Sequence, residues 1–426
     1  MRILIEGGTI VDPALAEAEA DILVEDGRVA RIRPRGEQRA FGEVDRVIEA
    51  SGLFVTPGLI DLHVHLREPG FEYKETIESG CAAAVSGGIT AVCCMPNTDP
   101  VNDCPELTDF ILQKAAEAAT ARVYPVAAIS RGLEGKRLSE YGELKAAGAV
   151  AVSDDGRPVA DAQLMRRAME YARGMGMPVI SHCEELSLAG AGVMNEGPYA
   201  TKMGLAGIPN ASESVMVLRD IALSELTGCR LHIAHVSAKE SVAAIREAKK
   251  RGAMVTAETA PHYFTLTDEA VGLYDTNAKM NPPLRSTADR EAVRQGLADG
   301  TIDVIATDHA PHAAEEKEVE FDQAANGIIG LETSVGLALK LVSEGVITLQ
   351  QMVEKMSLNP ARIVGVPAGI AEGNPADLTL IDPSLSWTVE PRFFRSLSRN
   401  TPFGGWEMKG RAVMTMVGGR IVFESK

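Results

Sequence analysis

From residue 53 onward the chain repeats one pattern: a short apolar run, a polar residue or turn, a helical stretch, then the next run. The runs are LIDLHVHL, ITAVCCMPN, VYPVAAIS, AVAVSDD, PVISHCE, RLHIAHVS, MVTAETAP and DVIATDHAP. Runs this short and apolar predict strands buried on both faces, and the stretches between them predict parallel pairing through βα units. Helices are expected at Pro105 to Thr120, Asp161 to Met175, Ser212 to Thr227 and Lys239 to Arg251. Eight such units favour an α/β chain built as a (β/α)8 barrel over an open doubly wound sheet.

The two ends read differently. RILIEGGTIVD and ADILVEDGRVARI are short strands with turn signals, and Asp26-Gly27 is a hairpin turn. After a helical region ending near Val364, ADLTLIDP and GRAVMTMVGGRIVFE return to β. The expectation is that residues 1–54 and 368–426 form a small composite β-sandwich domain beside a metal-dependent catalytic barrel at 55–367.

Composition narrows the function. A net charge of -17 over 426 residues argues against a nucleic-acid surface, which needs clustered Lys and Arg. Six cysteines without a CxxC pair read as small buried residues of a reducing compartment. No apolar run reaches the roughly 18 residues of a membrane span, and no secretory leader is seen. A cytoplasmic small-molecule enzyme is the expectation.

In a barrel of this kind reacting groups sit where strands end. Strand one ends in His63 and His65, whose spacing of two puts both imidazoles on one face. Strand four ends in Asp154-Asp155, strand five in His182, strand six in His235 and strand eight in Asp308. Imidazole nitrogens with carboxylate oxygens suit zinc or a similar ion, and the donors suffice for two ions if one carboxylate bridges them. Singly, each residue also reads as structural. Asp154 and Asp155 are alternatives at this point, since Asp-Asp-Gly is an ordinary turn. His232 and His309 read as structural, and His262 as undecided between a structural role and support of a ligand. The weight comes from all of these types falling at strand ends in order.

DLHVHLREPG and ATDHAPHAAEEK resemble the two signature segments of dihydroorotases in the amidohydrolase superfamily. MPNTDP, SDDG, SHCE, HIAHVS, NPPLR, NPAR and NPADLTLID extend the likeness to the class I bacterial type. The resemblance implies reversible, zinc-dependent cyclisation of N-carbamoyl-L-aspartate to L-dihydroorotate in pyrimidine biosynthesis. It implies two Zn2+ per chain: His63, His65 and Asp308 on one, His182 and His235 on the other, and Asp155 bridging. Many relatives bridge with a carbamylated lysine, and AVAVSDDGRP contains none. It further implies that Asp308 exchanges a proton with the attacking hydroxide and the ring nitrogen. Arg67, Asn97 and His312 would hold the ring carboxylate, with Asn281 and the main chain near Asn326 and Gly327 on the ring. Relatives often carry Pro or Phe before that glycine, where this chain reads AANG.

Arg67, two residues past His65, would be repelled by a metal unless an anion lay between them. A substrate carboxylate supplies that anion, and the planar guanidinium matches it. The plainer reading is a surface salt bridge with Glu68. Rival functions are another cyclic-amide hydrolase (hydantoinase, dihydropyrimidinase or allantoinase), or an inactive scaffold for aspartate transcarbamoylase. A homodimer, or a complex with that transcarbamoylase, is compatible with the sequence.

Overall fold

The computed structural model describes residues 1–15, 18–34 and 41–425. Residues 16–17, 35–40 and 426, which fall in the spans assigned to the composite domain, lie outside the described residues.

Each of the eight apolar runs forms a strand: Leu59–Val64, Ile89–Cys94, Arg122–Ala128, Ala151–Ser153, Val179–Ser181, Leu231–Ile233, Val255–Thr259 and Val304–Ile305. They are paired in sequence order, all in parallel. A parallel bridge between Val64 and His309 joins the last segment to the first. The interior holds Ile60, Leu62, Ala91, Cys93, Val126, Ala151, Ile180, Ala234 and Val304, closed off by Ala361 and Val364. A second, larger cluster lies between the strands and the surrounding helices.

Those helices form where the periodicity places them. Helix Ala162–Met175 buries Met165, Ala168, Met169 and Ala172, one stripe at helical spacing. Asp161 caps it by accepting from the amides of Gln163 and Leu164, and Gly176 ends it at φ 66°. The other expected helices run over Pro105–Ala118, Asn210–Thr227 and Lys239–Lys250.

Both chain ends enter one eight-stranded mixed sheet. Its hairpin of Ala18–Glu25 with Arg28–Pro34 turns at Asp26 and Gly27, both with positive φ. Residues Phe54–Pro57 pair with strands from both ends, so the sheet extends past residue 54. Ile3, Ile5, Ile22, Val55, Leu378, Leu380 and Met416 form its own apolar cluster. The sheet is tied to the barrel by Thr415 Oγ1 donating to the Val85 carbonyl (2.6 Å), Thr379 Oγ1 to that of Gly88 (2.6 Å), and the Arg122–Asp377 ion pair (2.8 Å). Among the described residues no helix is long and apolar enough to cross a membrane.

Candidate metal centre

The pairing register of strand one slips between Asp61 and Val64. A slip of this kind moves the following side chains to the other face. Ile60 and Leu62 lie in the barrel interior, Val64 and Leu66 pack outward, and His63 and His65 therefore both face the mouth. His235 (φ 33°), Asp308 (φ 50°) and Arg67 (φ 64°) have left-handed backbones, a costly conformation for such residues that surrounding structure must hold in place.

Asp155 lies at the centre. Its Oδ1 is 3.4 Å from His63 Nε2, 3.4 Å from His182 Nδ1 and 3.5 Å from His235 Nε2, and its Oδ2 is 3.5 Å from His65 Nε2. Asp308 Oδ1 lies 3.5 Å from His63 Nε2 and 3.2 Å from His65 Nε2. Four ligands on a tetrahedral ion at about 2.1 Å are separated by about 3.4 Å. The separations of 3.4 to 3.5 Å match that edge and are long for hydrogen bonds, while His65 and Asp308 at 3.2 Å are within hydrogen-bond range. His63 Nε2 and Asp155 Oδ1 are buried, face one another and have no hydrogen-bond partner. Two groups thus present metal-type donors, His63, His65 and Asp155 in one and Asp155, His182 and His235 in the other.

Three of the four remaining ring nitrogens are tied back, while His235 Nδ1 is buried without a hydrogen-bond partner among the described residues. His63 Nδ1 is 2.6 Å from Glu258 Oε1, His65 Nδ1 is 2.8 Å from Asn97 Oδ1, and His182 Nε2 is 3.3 Å from Glu184 Oε2. Such acceptors fix the tautomer that leaves the inner nitrogen basic. The electrostatics fit a cation site. Burial would lower the pKa of His63 and His182, but the carboxylates around them raise both, His182 to about 10. Burial likewise opposes ionisation of Asp155, yet the His63 charge and three imidazole contacts hold it well below the usual range.

The structure decides between the two strand-four aspartates. Asp154 turns away to accept from the amide (2.9 Å) and hydroxyl of Ser130, and burial lifts it to about 6; Asp155 is the residue in the cluster. His309 is structural, bonded by the Gly330 amide (3.1 Å) and 3.4 Å from Glu75. His232 bonds Glu258 (3.1 Å), so it supports the partner of His63 from below. His262 is buried, packs on Tyr263 at 4.1 Å and belongs to neither donor group; burial lowers it to about 4.

One cavity of about 230 Å³ is lined by His65, Asp155, His182, His235 and Asp308 and also by Arg67, Asn97, Asn281, His312, Asn326 and Gly327. His63 lies fully buried beneath it. Every residue that the resemblance assigns to the site lines this cavity, except His63, which is buried. Arg67 does not pair with Glu68, whose carboxylate instead accepts from the Ile77 amide (2.9 Å). Its Nε donates to the Pro311 carbonyl (3.1 Å) and its Nη2 lies 3.4 Å from His312 Nε2. Burial lowers Arg67 to about 10, which leaves it cationic at neutral pH. Because Asn97 gives its oxygen to His65, its NH2 remains as a donor for an anion. Asn281 Nδ2 donates to Glu184 (3.1 Å), and the Asn326 carbonyl is 2.8 Å from His312 Nε2.

Sequence reading passed over Glu258, Glu184 and Asp61. Glu258 lies one residue before the end of strand Val255–Thr259, and a carboxylate in a buried strand was the available signal. Asp61 is buried, accepts from the His63 and Thr307 amides (3.1 and 3.0 Å), and burial lifts it to about 7.

A family model described as dihydro-orotase-like matches residues 52–241. Among curated proteins, a dihydroorotase of Desulforapulum autotrophicum is 60% identical, with 100% of this chain and 99% of that protein covered. One of Syntrophotalea carbinolica is 56% identical over 99% of each. Among solved structures, the L-hydantoinase of Arthrobacter aurescens superposes with a TM-score of 0.89 at 28% identity, covering 99% of this chain and 96% of that one. A D-hydantoinase of a Thermus species gives 0.83 at 26% identity, covering 99% and 95%. The chain belongs to the dihydroorotase family, a branch of the cyclic amidohydrolases.

Proposed function

We propose that the chain interconverts N-carbamoyl-L-aspartate and L-dihydroorotate, with the reacting amide over the imidazole–carboxylate cluster and the ring carboxylate against Arg67, Asn97 and His312. The observation that carries this reading is a single cavity lined both by donors suited to a carboxylate, Arg67, Asn97 and His312, and by metal-type donors. His63, His65 and Asp308 would hold one zinc ion, His182 and His235 a second, and Asp155 both. Ions bound there supply Lewis acidity, lowering the pKa of a water and polarising an amide carbonyl.

The protein's own groups do the rest. Asp308 lies at the cavity and is 3.2 Å from His65. Burial opposes its ionisation, but the His63 charge and the His65 hydrogen bond outweigh that and keep its pKa below the usual value. A carboxylate held ionised can take the proton from the attacking water and deliver it to the departing ring nitrogen. In ring closure it starts protonated and gives that proton to the departing carboxylate oxygen; the proton lost by the attacking nitrogen goes to the same oxygen, so water leaves as the nitrogen–carbon bond forms and the carboxylate ends ionised. Two substrate carboxylates become one, so closure consumes a proton and acid favours it.

The deciding experiment is metal analysis of the purified protein, with turnover measured on dihydroorotate and on hydantoin, for the parent and Arg67→Ala. Dihydroorotate should be preferred. Arg67→Ala should lose roughly 10- to 100-fold in kcat/KM on it, the worth of a charged hydrogen-bonded contact. Preference for hydantoin would support the rival reading that the solved neighbours suggest.

The proposal includes a division into a barrel at 55–367 and a composite domain from 1–54 and 368–426, with Phe54–Pro57 as the joint. It also includes a cytoplasmic setting, for which six free cysteines speak. A homodimer, or association with aspartate transcarbamoylase, is part of the same reading; Val215, Leu218 and Leu226 present an exposed apolar stripe on helix Asn210–Thr227.

A further inference from the structure

Lys317 is only 4% exposed, and among the described residues no carboxylate pairs with its ammonium. Its Nζ donates instead to three main-chain carbonyls, those of Ala325 (2.7 Å), Gly327 (3.1 Å) and Lys279 (3.3 Å). Three donors meet three acceptors, which fills an ammonium group. The acceptors belong to segments that line the cavity through Asn281, Asn326 and Gly327. Lys279 precedes Asn281, and Ala325 and Gly327 flank Asn326. Lys317 itself ends the short helix Ala314–Lys317, which follows directly after His312.

Neighbouring bonds close the same junction. The Gly327 amide donates to the Lys279 carbonyl (3.0 Å), Thr276 Oγ1 donates to the Lys317 carbonyl (2.6 Å), and Asn400 Nδ2 donates to the Gly327 carbonyl (3.1 Å). Gly327, at φ 127°, therefore has its amide and carbonyl fixed at once.

We propose that Lys317 is a positioning residue whose charged form clamps the His312, Asn281 and Asn326–Gly327 edges of the cavity together, so that substrate affinity follows its protonation. This rests on the reading of the cavity as the dihydroorotate site. The groups that face Lys317 are Lys279, Asp275, Glu316 and His312, whose own pKa burial and the nearby cations, Lys317 among them, push down. Burial and then the Lys279 charge push its pKa down to about 7, against the opposing pull of Asp275 and Glu316. Below that value the ammonium satisfies all three carbonyls. Above it, the neutral amine has two N–H groups for the three acceptors and lacks the charge that strengthened each bond, so its hold on the three segments weakens. The edge loosens, and KM rises with pH.

The test measures kcat and KM on dihydroorotate from mildly acid to mildly alkaline pH, for the parent, Lys317→Met and Lys317→Arg, with bound metal determined for each. A parent that does not turn over dihydroorotate would overturn the functional reading instead, and that measurement comes first. KM of the parent should climb as pH passes neutrality. Lys317→Met should raise KM roughly tenfold at the acid end, the scale expected for a misplaced binding edge, with its pH step gone and its metal content unchanged. Lys317→Arg, charged throughout, should flatten the profile at lower KM than the Met variant. An unchanged KM profile in Lys317→Met overturns the proposal, as does a parallel loss of kcat, KM and metal, which marks a merely structural role. If neither variant folds, the parent profile decides, and a flat KM sinks the idea.

Discussion

Asp155 reaches four imidazoles because strand four ends at Ser153 just where the neighbouring ends converge, and Asp154, one residue away, serves Ser130 instead. Adjacent residues of one chemistry thus take different roles through direction alone. Asp308 and Glu258 separate in the same manner. Asp308 borders the cavity, and on the proposed proton-transfer role Asp308→Asn should cost at least about a hundredfold in turnover in both directions while bound metal stays near the parent level. Near-normal turnover would dismiss that role. Glu258 touches no cavity atom but orients His63 at 2.6 Å. Glu258→Gln should weaken metal binding by about 10- to 100-fold, seen as a lower stoichiometry after dialysis that added zinc restores. The histidine and aspartate types were legible because their positions at strand ends coincide. Glu258 was not, because its partner is remote in sequence.

At the scale of elements, the loops after the first two strands are locked together at Gly70. It has φ 99°, and a Cβ added there would meet the Asp99 carbonyl oxygen at 2.1 Å. That contact ties the Arg67 loop to the Asn97 loop. Gly70→Ala combines positive φ with a backbone clash and should cost about 2 kcal/mol or more in unfolding free energy. It should also raise KM for dihydroorotate, as Arg67 and Asn97, the side chains proposed to hold the ring carboxylate, lose their spacing. Denaturant unfolding with steady-state kinetics checks both, and an unchanged KM would mean the loops hold their positions separately. Strand and helix identities were legible at this scale, since burial on both faces and a one-sided apolar stripe leave different periods in the text. The register slip in strand one was not, because hydrophobic alternation does not record where a strand steps out of pairing.

At the scale of the molecule, residues after 367 help shape the cavity. Asn400 donates to the carbonyls of Ala310 (2.9 Å) and Gly327 (3.1 Å) and accepts from the His312 amide (3.1 Å). Ser396 and Leu397 donate to Glu75, the partner of His309. A fragment restricted to 55–367 would expose the apolar surface that Ile381, Val389, Phe394 and Phe403 cover. It is expected to aggregate or to unfold without a cooperative transition, and to lack turnover. A folded, active fragment would show that the end-built domain is dispensable to the barrel.

What the sequence determined by itself is the repeat of eight strand-and-helix units, the β character of both ends and the residue types available to the site, because each is written in local period and composition. Tertiary structure alone decided which of two aspartates meets the imidazoles, how the strand-one histidines come to face inward, and which distant carboxylates and amides hold them there. Those outcomes depend on the directions in which strand ends and loops converge, and direction in space is set by packing among segments far apart in the chain.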